Sequence, residues 1–177
     1  MPYVSKGDLE NYFASISSEK KEQANRNLMF KAAGVKRVVF LSHSHHDRDI
    51  VEKVRLFLAT LDTDVYVDWK DLSMPRITDS STAQRIRDRI VECNKFIMLA
   101  SNEALDSKWV PWELGYADSS KSLQNIAVLP LVERYEEWKG SEYISIYPHI
   151  KKDIINRYVV SGADSSEDRT LGLWLRY

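Results

Sequence analysis

At 177 residues the chain suits one domain with a decorated terminus, large enough to bury about two-thirds of its unfolded surface without a disulfide or metal staple. Lysine plus arginine (25) almost balances aspartate plus glutamate (26), which removes the electrostatic footprint of a general nucleic-acid binder. The single cysteine, Cys93, excludes an internal disulfide and sets the expectation of a reducing, cytoplasmic setting.

Met1 to Lys6 lacks the apolar core of a signal peptide, and no run approaches the roughly 18 apolar residues of a membrane span, so the chain reads as soluble with no membrane partner. Residues 1–34 form a polar N-terminal extension with helical patterning. Leu9, Tyr12, Phe13 and Ile16 make its first apolar run, and Ala24, Leu28, Met29, Ala32 and Ala33 make the second, closed by Gly34 as a C-terminal cap. Packing on the domain and partner binding are both open for it.

From 35 to 177 apolar runs alternate with amphipathic stretches, the pattern of βαβ units. Val38-Val39-Phe40-Leu41 is the first strand, and Asp47 can cap the helix whose stripe is Ile50, Val54, Phe57, Leu58 and Leu61. Val65-Tyr66-Val67 is the second strand, followed by a polar loop from Asp68 to Asp79. Arg76, Arg85, Arg87 and Arg89 are interleaved with Asp79, Asp88 and Glu92, which reads as a solvated helix face rather than a phosphate patch. Cys93, late in the helix carrying Ile86 and Ile90, reads as a buried structural thiol.

The third strand is Phe96 to Ala100. Ser107 can cap the next helix, and Pro111 is tolerable only in its first turn. Ile126 to Val132 is the fourth strand. An irregular aromatic stretch (Tyr135, Trp138, Tyr143, Tyr147) leads to a short strand at Tyr158-Val159-Val160 and a final helix.

Ligands of such a sheet settle beyond the carboxyl ends of its strands. That rule nominates Ser42, His43, Ser44 and His45; then Asp68, Trp69, Lys70 and Asp71; then Ser101, Asn102 and the helix bearing Trp109 and Glu113. Trp109 and Glu113, four apart, share a helix face, so an indole wall and a carboxylate can meet in one pocket. A core tryptophan and a solvated glutamate is the competing interpretation. Trp69 suits stacking on a base or packing under its loop, while Ser42, His43 and Ser44 suit ribose or phosphate oxygens or plain helix capping.

Val39-Phe40-Leu41-Ser42-His43-Ser44, Asp71-Leu72-Ser73-Met74-Pro75 and Trp109-Val110-Pro111-Trp112-Glu113 resemble, in order, the three boxes of the TIR family, over roughly residues 36 to 133. Arg76 stands where many members have glycine. The resemblance implies an α/β, flavodoxin-like three-layer sandwich with a five-stranded, mainly parallel sheet in the order 2-1-3-4-5. It also implies cleavage of the nicotinamide–ribose bond of NAD to ADP-ribose or to a cyclic or conjugated product, with Glu113 as the catalytic carboxylate and Trp109 beside the nucleotide. Departure of nicotinamide leaves an oxocarbenium-like ribose, which a nearby carboxylate stabilises.

NAD would be a substrate and no cofactor is required, since neither Gly-x-Gly-x-x-Gly nor a P-loop is present. Self-association through the loop from Asp68 to Asp79 is expected. A stand-alone domain of this kind resembles the signal-producing part of a bacterial antiphage system of the Thoeris type, with a separate effector protein sensing the product. Two other functions compete: a non-catalytic adaptor acting through TIR–TIR association, and a zinc hydrolase suggested by His43-Ser44-His45-His46-Asp47. The zinc box fails on counting, because Arg48 stands where its last histidine belongs and His149 alone remains downstream.

Overall fold

Alternation within the strands decides the layering. In the computed structural model, which describes residues 3–22, 37–71, 79–133, 138, 140, 142–162 and 168–177, strands β2 (Val38–Ser42), β4 (Lys95–Ala100) and β5 (Ile126–Val132) are buried on both faces. Val39, Leu41, Ile97, Leu99, Ala127 and Leu129 point into one core; Phe40, Phe96, Met98, Ala100, Ile126 and Val128 point into the other. Continuous apolar runs are therefore required, since neither face meets water.

The first core is covered by α1 (Lys6–Ser15), α2 (Arg48–Ala59) and α6 (Leu171–Arg176), and the second by α3 (Ser80–Glu92) and α5 (Trp109–Ser120). This is the expected three-layer α/β sandwich. On the second face Phe40 stacks on Phe96 at 5.6 Å and on Tyr66 of β3 (Asp64–Tyr66) at 5.3 Å. Cys93 is buried in the same core, where desolvation pushes its thiol up to about 12, so it is inert at neutral pH.

Strand order begins as anticipated: β3, β2, β4 and β5 are parallel neighbours, so the first four expected strands run 2-1-3-4. Beyond them the sheet differs from the five-stranded expectation, because eight strands form among the described residues. Next to β5 lies β6 (His149–Lys152), then β7 (Tyr158–Ser161) and β8 (Arg169–Thr170), the last two antiparallel to their neighbours. The sequence His-Ile-Lys-Lys gives β6 no apolar run, and only Ile150 is fully buried, which is why periodicity missed it.

The N-terminal segment also enters the sheet: β1 (Val4–Ser5) pairs in parallel with Leu131 and Val132 of β5. Ser5 then opens α1 through a capping box, accepting from Asp8 N–H at 3.0 Å while its own N–H donates to the Asp8 carboxylate at 2.9 Å. Tyr12 closes the packing, edge-on to Phe57 at 4.9 Å with its hydroxyl 3.0 Å from Thr60 Oγ1. The second helical run, its Gly34 cap and the Leu72–Pro75 part of the second box lie outside the described residues.

Pro130 sits inside β5, where a missing N–H should disrupt a central strand. Val128 N–H donates to Pro148 O at 2.8 Å, so the nitrogen of residue 130, two positions on, faces the same side. That side is where β5 changes partner, from β6 at Val128 to β1 at Leu131, and the absent donor falls in the gap.

Candidate active site

The carboxyl ends of β2 and β4 and the turn after β3 border a cleft of about 580 Å³. Its walls come from the β2 turn (His43, Ser44, His45, His46), the start of α2 (Arg48), the turn after β3 (Asp68, Trp69), α3 (Thr82, Ile86), the segment Glu103, Asp106 and Ser107 after β4, and the first two turns of α5 (Trp109, Glu113). Ser107 fixes the last of these, accepting from the N–H groups of Trp109 at 3.2 Å and Val110 at 3.4 Å. Pro111 occupies the third position of α5, where no intrahelical donor is required.

Glu113 is 5 % exposed although charged in type, and Ser42 Oγ donates to its Oε2 at 2.5 Å. Burial pushes its carboxyl up to about 8; the Ser42 bond works against that shift and nearby Asp68 adds to it. Burial thus favours the protonated carboxyl at neutral pH. A neighbouring cation would favour its ionised form.

His43 is held by two contacts. Its Nδ1–H donates to Leu41 O at 2.8 Å, and its ring meets Trp69 edge-on at 4.4 Å. The Arg48 guanidinium lies over the Trp69 ring, 5.5 Å from its centroid. Arg48 is the one arginine or lysine among the described lining residues, and it stands at the amino end of α2, where free N–H groups and the helix dipole already favour an anion.

Not every nominated residue borders the cleft. Ser42 and Ser101 are buried and bonded to acids instead, Ser42 to Glu113 and Ser101 to Asp47 at 2.6 Å. Lys70 is exposed, pairs with Glu52 at 2.6 Å and borders a separate 490 Å³ cavity with Asp71, Arg89 and Cys93. Asp47 does not cap α2 with its side chain as expected; its carboxylate is turned to Ser101, the N-cap of the short helix α4 (Asn102–Leu105). Sequence reasoning passed over Arg48 except as the residue that spoils a zinc box, and it passed over Glu103 and Asp106, which also line the cleft. Their only signal was position just after a strand–helix junction. Among the described residues no three His, Cys, Asp or Glu side chains are grouped to hold a metal ion, and no helix is long and apolar enough to cross a membrane.

Comparison with known proteins agrees with this architecture. A protein of Bacillus cereus (strain MSX-D12), named "Probable 3' cyclic ADP-D-ribose synthase ThsB'", is 31% identical over 160 residues, covering 83% of this chain and 81% of the relative. A protein of Cytobacillus dafuensis, named "Putative cyclic ADP-D-ribose synthase TIR2", is 27% identical over 82 residues, which are 45% of this chain and 22% of that protein. The TIR domain family model matches residues 39–154, spanning the strands and helices that build the cleft, and the chain belongs to the TIR domain family.

Proposed function

We propose that this TIR domain consumes NAD, cleaving the nicotinamide–ribose bond and closing the ADP-ribosyl group into a cyclic ADP-ribose. The reading is carried by one observation: Glu113 is buried, bonded to Ser42, and set one helical turn after Trp109 on the wall of a cleft that Arg48 also lines. The two relatives, both named as cyclic ADP-D-ribose synthases, support it.

The residues divide the work by charge. Arg48 and the amino end of α2 suit the pyrophosphate, and the Trp109 and Trp69 rings offer flat walls to the nicotinamide or adenine. NAD carries a positive nicotinamide ring, so its arrival beside Glu113 draws off the proton that burial retains. The resulting carboxylate stabilises the positive charge that grows on the ribose as nicotinamide leaves. Ser42 holds that carboxylate in place, Ser44 and Asp68 are left for ribose hydroxyls, and both ring nitrogens of His43 are turned to the protein, to Leu41 O and to Asp68.

A non-catalytic adaptor has no use for a carboxyl whose burial costs stability. In this scheme copies associate through the loop from Asp68 to Asp79, of which residues 72–78 lie outside the described set, and a separate effector reads the product in antiphage defence. The test is incubation of the purified chain with NAD, with nicotinamide and the ADP-ribosyl product identified by mass spectrometry. Nicotinamide release with a cyclic product, abolished in Glu113→Ala, is the expected result; turnover that survives in Glu113→Ala removes the assignment.

A further inference from the structure

One buried polar atom at the site has no partner. His43 Nε2 is enclosed, with its side chain only 3 % exposed, and makes no hydrogen bond. The reason lies at the other ring nitrogen: a carbonyl only accepts, so the bond to Leu41 O places a proton on Nδ1, and in the neutral ring Nε2 is then a bare lone pair. What faces that lone pair is another acceptor, Asp68 Oδ1, at 3.4 Å. Asp68 Oδ1 already receives the Trp69 N–H at 2.7 Å, which holds the carboxylate in this position. A bare imidazole nitrogen and a carboxylate oxygen facing each other at 3.4 Å are placed to share one proton. Asp68 is the member that reaches outward: its side chain is 23 % exposed and lines the cleft.

We propose that Asp68, backed by His43, is the proton acceptor for the hydroxyl that attacks the anomeric carbon of the ribose. The inference rests on the NAD reading above. In the step, the bond from the anomeric carbon to the nicotinamide nitrogen breaks and its electron pair goes to the ring, which becomes neutral. The incoming hydroxyl oxygen bonds the same carbon, its proton passes to the Asp68 carboxylate, and the pair shares that proton through Nε2, ending as an imidazolium beside a carboxylate. Glu113 and the Asp68–His43 pair then have different tasks: the first serves departure, the second serves capture.

The surroundings suit a ring that starts neutral. Desolvation lowers the His43 pKa, as does His45, whereas the Leu41 carbonyl, Asp68 and Asp47 pull it back up. The imidazolium formed in the step is thus disfavoured at rest and stabilised by the carboxylate that delivers the proton.

Capture by a hydroxyl releases a proton, but capture by free nicotinamide does not. Exchange of labelled nicotinamide into NAD therefore reports bond cleavage alone, and the ratio of cyclic product to exchange isolates the proposed role. Both are measured in one sample, so loss of folded protein lowers both and leaves the ratio unchanged. Asp68→Asn and His43→Asn should each lower the ratio about 100-fold, within the usual range of general-base catalysis. The double variant should be no worse than the singles, because the two act as one unit. Glu113→Ala should lower product and exchange together. An unchanged ratio in either single variant, or effects that multiply in the double variant, would overturn the pairing. On the unmodified protein, a long-range nitrogen–proton NMR spectrum should show His43 protonated at Nδ1 and bare at Nε2 at neutral pH; the opposite tautomer would also overturn it. Absence of both product and exchange from the wild-type chain would instead remove the NAD reading, and this inference with it.

Discussion

Two serine–carboxyl bonds lie at the carboxyl edge of the sheet and look alike: Ser42 to Glu113 at 2.5 Å, and Ser101 to Asp47 at 2.6 Å. Both acids are buried, and burial raises both pKa values. They differ in what else they touch. Glu113 lines the cleft beside Trp109, whereas Asp47 is not among the described residues lining that cleft and ties the turn after β2 to the N-cap of α4, whose Ser101 Oγ also receives Ala104 N–H at 2.9 Å. The same pair of functional groups thus lines the proposed reaction site in one place and clamps two loops in the other. Burial alone does not distinguish them; a place on the wall of this cleft does.

Substitution should split the two pairs in opposite directions. Glu113→Gln keeps a hydrogen-bonding partner for Ser42 and removes the ionisable group, so NAD turnover should fall about 10³-fold while thermal stability holds or rises. The pH dependence sharpens this. Folded Glu113 ionises at about 8 against an ordinary value of 4.5, so between those limits the folded chain holds a proton that the unfolded chain has released. Its stabilising effect is complete below about 4.5 and is lost as the pH rises to about 8, on the order of a few kcal/mol. Denaturant titrations at pH 5 and pH 8 should show that loss in the wild type and a flatter profile in Glu113→Gln.

At the clamp the balance reverses. Ser101→Ala removes a cap and leaves Asp47 buried without its donor, which should cost about 1–3 kcal/mol in denaturant unfolding. NAD turnover per folded molecule should change little. Trp109→Ala is the smallest of the set, with KM for NAD expected to rise about tenfold through lost stacking and kcat less affected. A kcat collapse in Trp109→Ala with unchanged KM would mean that the indole positions Glu113 rather than the nucleotide.

The central part of this molecule was legible because its signals are local and periodic. Runs such as Phe96 to Ala100 need two apolar layers, and the four-residue spacing of Trp109 and Glu113 places both on one helix face. The outer strands were not legible for the same reason: β1 and β8 are two residues long, and β6 contributes a single fully buried side chain. Within the site, Ser42 was nominated for a ligand because nothing local indicates that a residue 71 positions away will take its hydroxyl. Asp47 shows the converse. Its place before a helix signalled a cap, but a serine 54 residues downstream, brought close by the sheet, won the carboxylate.

The proline in β5 has a consequence for how the sheet comes apart. Because residue 130 offers no donor between the β6 and β1 registers, the two short strands occupy separate halves of one edge and share no ladder rung. The amino-terminal unit and the 149–161 hairpin are instead joined by side chains, the Lys152–Asp8 ion pair at 2.8 Å and the Tyr12–Tyr158 ring contact at 6.3 Å, so opening either edge breaks these contacts rather than a shared run of backbone bonds.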